Sequence, residues 1–331
     1  MQKLIRLALS NKASSKLRVV LFHGSTARST NLSVHAFLVD GEWEFPKPVA
    51  VSASILRAAI KIGGKEQVWS FKNGEHRLNG VLLADQGATD FPPPLDAPSN
   101  MCLLDFKTPI QDVVKRLLPA VAGNIEFRQS LRGIFVSAKD SFMCATDGRR
   151  LHLARDIIRQ VNGAPDVIVP RELFTLATPD SLAVSESIIS AKCGNMIITC
   201  KAIEETPPNY RRVIPSASSL PFTAAFGAEQ LAVLRKAMIL SKAVSQSFHR
   251  ITIQANGAVS ACDEFSHLVI AQWQLLNEYA ARDPVAFQSI YLADAAAAIG
   301  DGVIRLGSGS DAALVSSNDG KFVAVVMPMR I

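Results

Sequence analysis

Residues 167–178 read VIVPRELFTLAT: a β-branched run, a proline, then a short stretch rich in helix formers. The β-branched run favours a strand. Pro170 stands where the first position of a helix would be, because its missing N–H is one the helix leaves unpaired anyway. The segment therefore reads as strand, turn and short helix. Two others read alike: residues 49–60, VAVSASILRAAI, with Ser52 as the expected N-cap, and residues 289–300, SIYLADAAAAIG. Their starts lie 118 and 122 residues apart.

A second trio runs in step with the first. Thr30-Asn31, Thr146-Asp147 and Cys262-Asp263 are each separated by 116 residues, and each precedes a short alternating apolar stretch that predicts a strand. Before the second and third pairs come hairpin-like stretches, residues 133–144 and 250–261, with turn residues in their middles. Before those lie helical patterns. Residues 109–122 put Ile110, Val113, Val114 and Leu117 on one face, and residues 228–243 do the same with Leu231, Leu234 and Met238. A unit of 110 to 120 residues is far longer than a solenoid repeat. The pattern predicts three tandem copies of one α+β domain, at 1–98, 99–217 and 218–331, joined at the proline-rich stretches 91–98 and 215–221.

The chain has 331 residues, 48% of them hydrophobic and 19% charged. That is enough apolar material for sizeable cores and argues against disorder. No apolar run approaches the roughly 18 residues of a membrane span, and the start lacks the apolar stretch of a secretory signal. The five cysteines are scattered without C-x-x-C spacing. That pattern fits a reducing, cytoplasmic setting better than a disulfide framework. The net charge of +6 is matched by six basic residues before the first acid, Asp40. This basic start reads as an arm near a polyanion, as a solvated helix face, or as an organelle transit peptide.

Catalytic motifs are scarce, and no enzyme activity, cofactor or metal is predicted. Residues 307–313, GSGSDAA, match G-x-G-x-x-A, but the residues after them read as two strands around Asn318-Asp319-Gly320, so the glycines predict a loop. The six histidines show no metal-ligand spacing, and His152 and His267 read as structural. Asp147 and Asp263 share a repeat position and predict turn formers. Three features suggest a binding surface instead: the terminus VVMPMRI (325–331), the stretch Tyr210-Arg211-Arg212-Val213, and the polar turn Thr146-Asp147-Gly148-Arg149-Arg150-Leu151. Two methionines around a proline suit an adaptable peptide site, although an ordinary edge strand accounts for the same letters.

Taken together, these stretches resemble the sliding clamp of bacterial replication, the beta subunit of DNA polymerase III. ATDGRRLHLA (145–154) is similar to the family's A-T-D-G-H-R-L, NYRRVIP (209–215) to D-Y-R-R-V-I-P, and VVMPMRI to V-V-M-P-M-R-L. VIVPREL (167–173), TDFPP (89–93) and IYLADA (290–295) add weaker similarity, over roughly residues 48–331.

The resemblance implies three clamp domains per chain and a ring closed by a head-to-tail homodimer, with helices lining the hole and sheets outside. It implies a processivity factor that encircles duplex DNA without reading its sequence. Such a clamp tethers the DNA polymerase III alpha subunit, the clamp loader and other clamp-motif proteins. A clamp-like monomer that binds those motifs without encircling DNA is the alternative. By residue match the partner-peptide pocket comprises Leu131, Thr146, Gly148, Arg149, Leu151, Pro208, Arg212, Val213, Tyr291, Val325, Met327, Pro328 and Met329. Arg149 stands where the family often has His. DNA-facing candidates are Arg128, Lys61, Lys65, Lys115, Arg116, Arg235 and Lys236. The ring contact implied is Val81 and Leu83 against Ile239 and Leu240. Family chains are usually some tens of residues longer and acidic. Here the first domain is expected to lack its opening strand and one strand after its first helix.

Overall fold

The computed structural model describes residues 1–331 except 11–13, 40, 42, 124–125, 160, 245–249, 263–266, 274–282, 308 and 330–331. Its described α-helices are α1 (Gln2–Ser10), α2 (Ala53–Gly63), α3 (Ile110–Leu117), α4 (Arg171–Leu176), α5 (Ala228–Val244) and α6 (Ser289–Ile299). The chain divides into two compact units, one of residues Met1–Leu104 with Val161–Ile203, the other of Asp105–Gln160 with Glu204–Ile331.

The repeat is visible in the elements themselves. Helices α2, α4 and α6 begin at Ala53, Arg171 and Ser289, 118 residues apart each time. The strands before them end at Ser52, Pro170 and Gln288. The third copy was therefore expected four residues too late: residues 289–299 are all helix, and the matching strand is Val285–Gln288. The capping expectation also shifts. Ser52 is an N-cap residue but makes no side-chain cap bond, and Pro170 is the N-cap rather than the first helical residue. The strands ending at Thr30, Thr146 and Cys262 keep the 116-residue spacing. Asp263 itself lies outside the described residues.

In the first unit eight strands form one antiparallel sheet. Their order is Phe45–Ser52, Val19–Gly24, Thr26–Thr30, Val34–Leu38, Met196–Lys201, Ile188–Cys193, Ser181–Val184 and Cys102–Leu103. Helix α1 places Leu4, Ile5, Leu7 and Ala8 against this sheet and α2, leaving Lys3 and Arg6 in solvent. Each of its three large apolar side chains contributes about 2 kcal/mol by leaving water. The N-terminal stretch is thus a packed helix with a solvated basic face, not a free arm. Three strands do follow α2, however, namely Trp69–Lys72, Glu75–Leu78 and the two-residue Val81–Leu82, so the strand expected to be missing is present but short. They form a separate three-stranded sheet.

In the second unit the strands run in the order Gly133–Ser137, Phe142–Thr146, Arg150–Arg155, Phe322–Val326, Ala313–Ser317, Gly302–Leu306 and Phe222–Phe226. Gly307 follows one of these strands and leads into a turn, so the glycine-rich motif is a loop. A four-stranded sheet runs His267–Gln272, Ala258–Cys262, Arg250–Ile253, Val285–Gln288. Between the sheets lies a core that includes Phe222, Phe226, Ile251, Phe287, Trp273 and Leu234, closed by α5 and α6.

One rule builds both large sheets. The strand that follows the Thr-Asn or Thr-Asp turn of one repeat pairs antiparallel with the last strand of the next. Val34–Leu38 pairs with Met196–Lys201 through Ala36 and Ile198, and Arg150–Arg155 pairs with Phe322–Val326 through Leu151 and Val325. The compact units therefore straddle the repeats.

Candidate partner-peptide pocket and charged surface

The pocket is built on a turn. Between the strands Phe142–Thr146 and Arg150–Arg155, the Asp147 carboxylate accepts from the backbone N–H of Arg149 at 3.0 Å and of Arg150 at 3.1 Å. Thr146 Oγ1 accepts from the Gly148 N–H at 3.0 Å and donates to the Arg150 carbonyl at 2.6 Å. Gly148 has φ +84°, a left-handed conformation that a Cβ disfavours. Asp147 is therefore a turn former, as its repeat position predicts, and its side chain also binds Arg150 Nε at 2.9 Å.

Arg150 then locks the wall. Its guanidinium reaches Asp294 at 2.5 Å and the Pro119 carbonyl at 2.5 Å, and it stacks 4.4 Å from the centre of the Tyr291 ring. Nearby, His152 is 1% exposed, and its Nδ1–H donates to the Arg116 carbonyl at 2.8 Å. Burial pulls its pKa down to about 4, so the ring is neutral at pH 7.

A cavity of about 250 Å³ opens beside this turn. Of the expected pocket residues, Leu131, Thr146, Gly148, Leu151, Pro208, Val213, Val325 and Met327 line it together. Val213 and Met327 are about half exposed at its edge. Arg149, Arg212, Tyr291, Pro328 and Met329 are not among the lining residues. Arg149 holds the terminus instead, its carbonyl accepting from the Met327 N–H at 2.9 Å. Tyr291 is covered by Arg150, and Arg212 is exposed. The Met329 N–H donates to the Ala286 carbonyl at 2.7 Å, so the chain crosses to the edge of the four-stranded sheet at Pro328. The two methionines therefore do not face the cavity together. Arg150, Asn209 and Tyr210 also line the cavity: Arg150 and Tyr210 belong to stretches that suggest a binding surface, but none of the three is on the expected pocket wall. Tyr210 is held by Phe142, at 4.5 Å between ring centres, and by Arg211 Nε on its hydroxyl at 3.0 Å. Its place in the stretch NYRRVIP was the available signal.

Two of the expected DNA-facing residues are otherwise engaged. Arg116 donates to the carbonyls of Ala298 at 2.5 Å and Ile299 at 3.3 Å and stacks on Phe322, so it satisfies the C-terminal end of α6. Arg128 pairs with Glu126 at 3.1 Å and lines the cavity beside the turn. Lys61, Lys65, Lys115, Arg235 and Lys236 are exposed on or just beyond α2, α3 and α5. For the ring contact, Ile239 is 70% exposed on α5, and the side chain of Leu240 lies outside those described. Leu83 is 3% exposed and committed to its own core, whereas its neighbour Leu82 is 42% exposed. The exposed apolar residue lies between the two expected ones, and Val81 is partly buried.

Among the described residues, no three His, Cys, Asp or Glu side chains cluster to hold a metal. Burial pushes the Cys144 and Cys200 thiols up to about 12, far from a reactive thiolate. Among the described residues, no helix is long and apolar enough to cross a membrane.

No family model matches the chain. Among curated proteins it is 27% identical over 294 residues to the beta sliding clamp of Pseudomonas aeruginosa, covering 82% of this chain and 76% of that protein. It is 25% identical over 265 residues to the beta sliding clamp of Haemophilus influenzae, covering 75% and 71%. The solved DNA polymerase III subunit beta of Pseudomonas aeruginosa superposes with a TM-score of 0.81 over 100% of this chain and 96% of that one, at 22% identity. The chain is thus similar to beta sliding clamps over most of its length and shares their fold. A clamp from Caulobacter crescentus gives a TM-score of 0.79 at 18% identity, so the clamp fold persists where few side chains are shared.

Proposed function

We propose that this clamp encircles duplex DNA as a head-to-tail homodimer and tethers a polymerase and other motif-bearing partners to it. The observation that carries the proposal is a missing pairing. In both large sheets the strand after the Thr-Asn or Thr-Asp turn of one repeat is closed by the last strand of the next. For the third repeat, His267–Gln272 is an edge of its four-stranded sheet, unpaired on its outer side among the described residues. For the first repeat, Val81–Leu82 is a free edge of its three-stranded sheet. Free edges are templates for pairing. The same rule, applied between two chains, joins these edges twice and closes a ring of six repeats with boundaries near 98 and 217. Such a heterologous contact closes after two copies.

The ring makes tight DNA binding unnecessary. Weak contacts from Lys61, Lys65, Lys115, Arg235 and Lys236 to phosphates permit sliding, and topology prevents escape. A peptide held in the cavity beside Met327 keeps its protein at high local concentration on DNA. The chain acts by binding, not by chemistry, and works in the cytoplasm, where replication partners such as the polymerase III alpha subunit and the clamp loader reside.

Light scattering tests the assembly. The proposal expects about 71 kDa, twice the 35.7 kDa chain. A mass near that of one chain at micromolar concentration would reject the dimer. For the pocket, Met327→Asp should weaken a labelled peptide rich in Gln, Leu and Phe tenfold or more in fluorescence anisotropy. Unchanged affinity would remove the pocket assignment.

A further inference from the structure

The first unit carries a second groove, of about 290 Å³, that the reading above leaves unused. It is the repeat counterpart of the peptide cavity. Thr146, Leu151 and Val325 form one cross-strand row in the second unit, and Thr30, His35 and Thr199 form the matching row in the first. The turn beneath is reproduced atom by atom. Asn31 Oδ1 accepts from the N–H of Ser33 at 3.2 Å and of Val34 at 2.9 Å, and Thr30 Oγ1 accepts from the N–H of Leu32 at 2.9 Å. Where Tyr210 borders the cavity, Phe91 borders the groove.

The chemistry of the two sites differs. Phe37, Phe91 and Ile197 give the groove apolar walls, with Ile197 41% exposed. Pro92 and Pro94 stiffen one rim, so little order has to be imposed when a ligand enters. In the peptide cavity Arg150 is neutralised by Asp147 and Asp294. In the groove Arg28 lies over the Phe91 ring at 5.5 Å and has no carboxylate partner among the described residues. His35 beside it has its pKa lowered by burial and by Arg28, which favours the neutral ring over a second positive charge. A half-buried, unpaired guanidinium among aromatic and aliphatic walls is complementary to one ligand chemistry, a carboxylate next to an apolar side chain.

We propose that this groove is a second docking site, which takes an extended segment of a partner protein bearing a large apolar side chain beside an acidic residue. The proposal uses the repeat relation to the peptide cavity but does not depend on the ring or on DNA.

The test uses the full chain and two fluorescein-labelled peptides, Asp-Glu-Leu-Phe-Asp and the same peptide with lysine at each acidic position. Anisotropy should show saturable binding of the acidic peptide only. Arg28→Ala and Ile197→Asp should each weaken it tenfold or more, Arg28→Lys should restore part of the loss, and Met327→Asp should leave it unchanged. A thermal melt of each variant checks folding, and both side chains lie at least partly in solvent. Failure of the acidic peptide to saturate would overturn the proposal, as would equal binding of the lysine peptide or indifference to both groove substitutions. Loss of binding in Met327→Asp alone would place the peptide in the other cavity. That outcome overturns the second site while supporting the first.

Discussion

Leu32 and Gly148 occupy the same step of the same turn in two repeats, at φ +76° and +84°. Glycine adopts that conformation freely, whereas leucine is held in it at a cost of about 1–2 kcal/mol. Leu32→Gly relieves this strain but adds about 0.5–1 kcal/mol of unfolded-chain entropy. The expected result is a variant as stable as the parent or more stable by up to about 1 kcal/mol in urea unfolding. Gly148→Ala should be destabilised by about 1 kcal/mol or more, and a loss in the first variant larger than in the second would contradict the shared turn. His152 makes a pH-dependent contribution. It is neutral in the fold with a pKa lowered to about 4, whereas unfolding returns it to about 6.5. The unfolded chain therefore binds the extra proton between these values. Stability from this group is complete above about pH 6.5 and falls as pH drops toward 4, at up to about 1.4 kcal/mol per unit. His152→Gln should flatten that part of the stability curve. At this scale the sequence was informative wherever a backbone demand selects a residue type, as Asp147 and Gly148 show. It was silent on Arg116 and Arg128, because a basic residue on a helix or before a hairpin looks the same whether it faces solvent or binds a carbonyl across the fold.

Helix α6 explains why one element was misplaced. Leu292, Ala293, Ala295, Ala296, Ala298 and Ile299 are all buried, so the helix is covered nearly all round. Such a helix has no polar stripe to mark its start. Ile290 and Tyr291 then read as strand, and the third copy slid by four residues. Helix α3 was legible because its four apolar residues form a single buried face. The strand Val81–Leu82 was misread in phase for a related reason: two residues are too few for alternation to show which side chain turns inward. At the proposed ring contact, Ile239 stands exposed on α5. Ile239→Asp puts a charge in an apolar contact, and an unpaired buried charge commonly costs several kcal/mol. The variant should run at half the parent mass in light scattering while its thermal melt stays close to the parent's. A variant that keeps the parent mass would move the contact off α5.

For the whole molecule, repeat number and family were legible in the sequence because turn chemistry and the terminus recur in short, specific strings. The pairing rule was not, because it joins strands about 160 to 175 residues apart, such as Val34–Leu38 with Met196–Lys201. That rule is what makes an isolated chain incomplete at two edges, and it leads to the central claim, that two chains close around DNA. The most direct measurement is retention on nicked circular DNA through a high-salt wash, followed by linearisation. Held only by phosphate contacts, the protein would be washed off in proportion to the charges neutralised. The closed ring predicts that it stays on the intact circle at high salt and leaves once the circle is cut. Release from intact circles at high salt would contradict it.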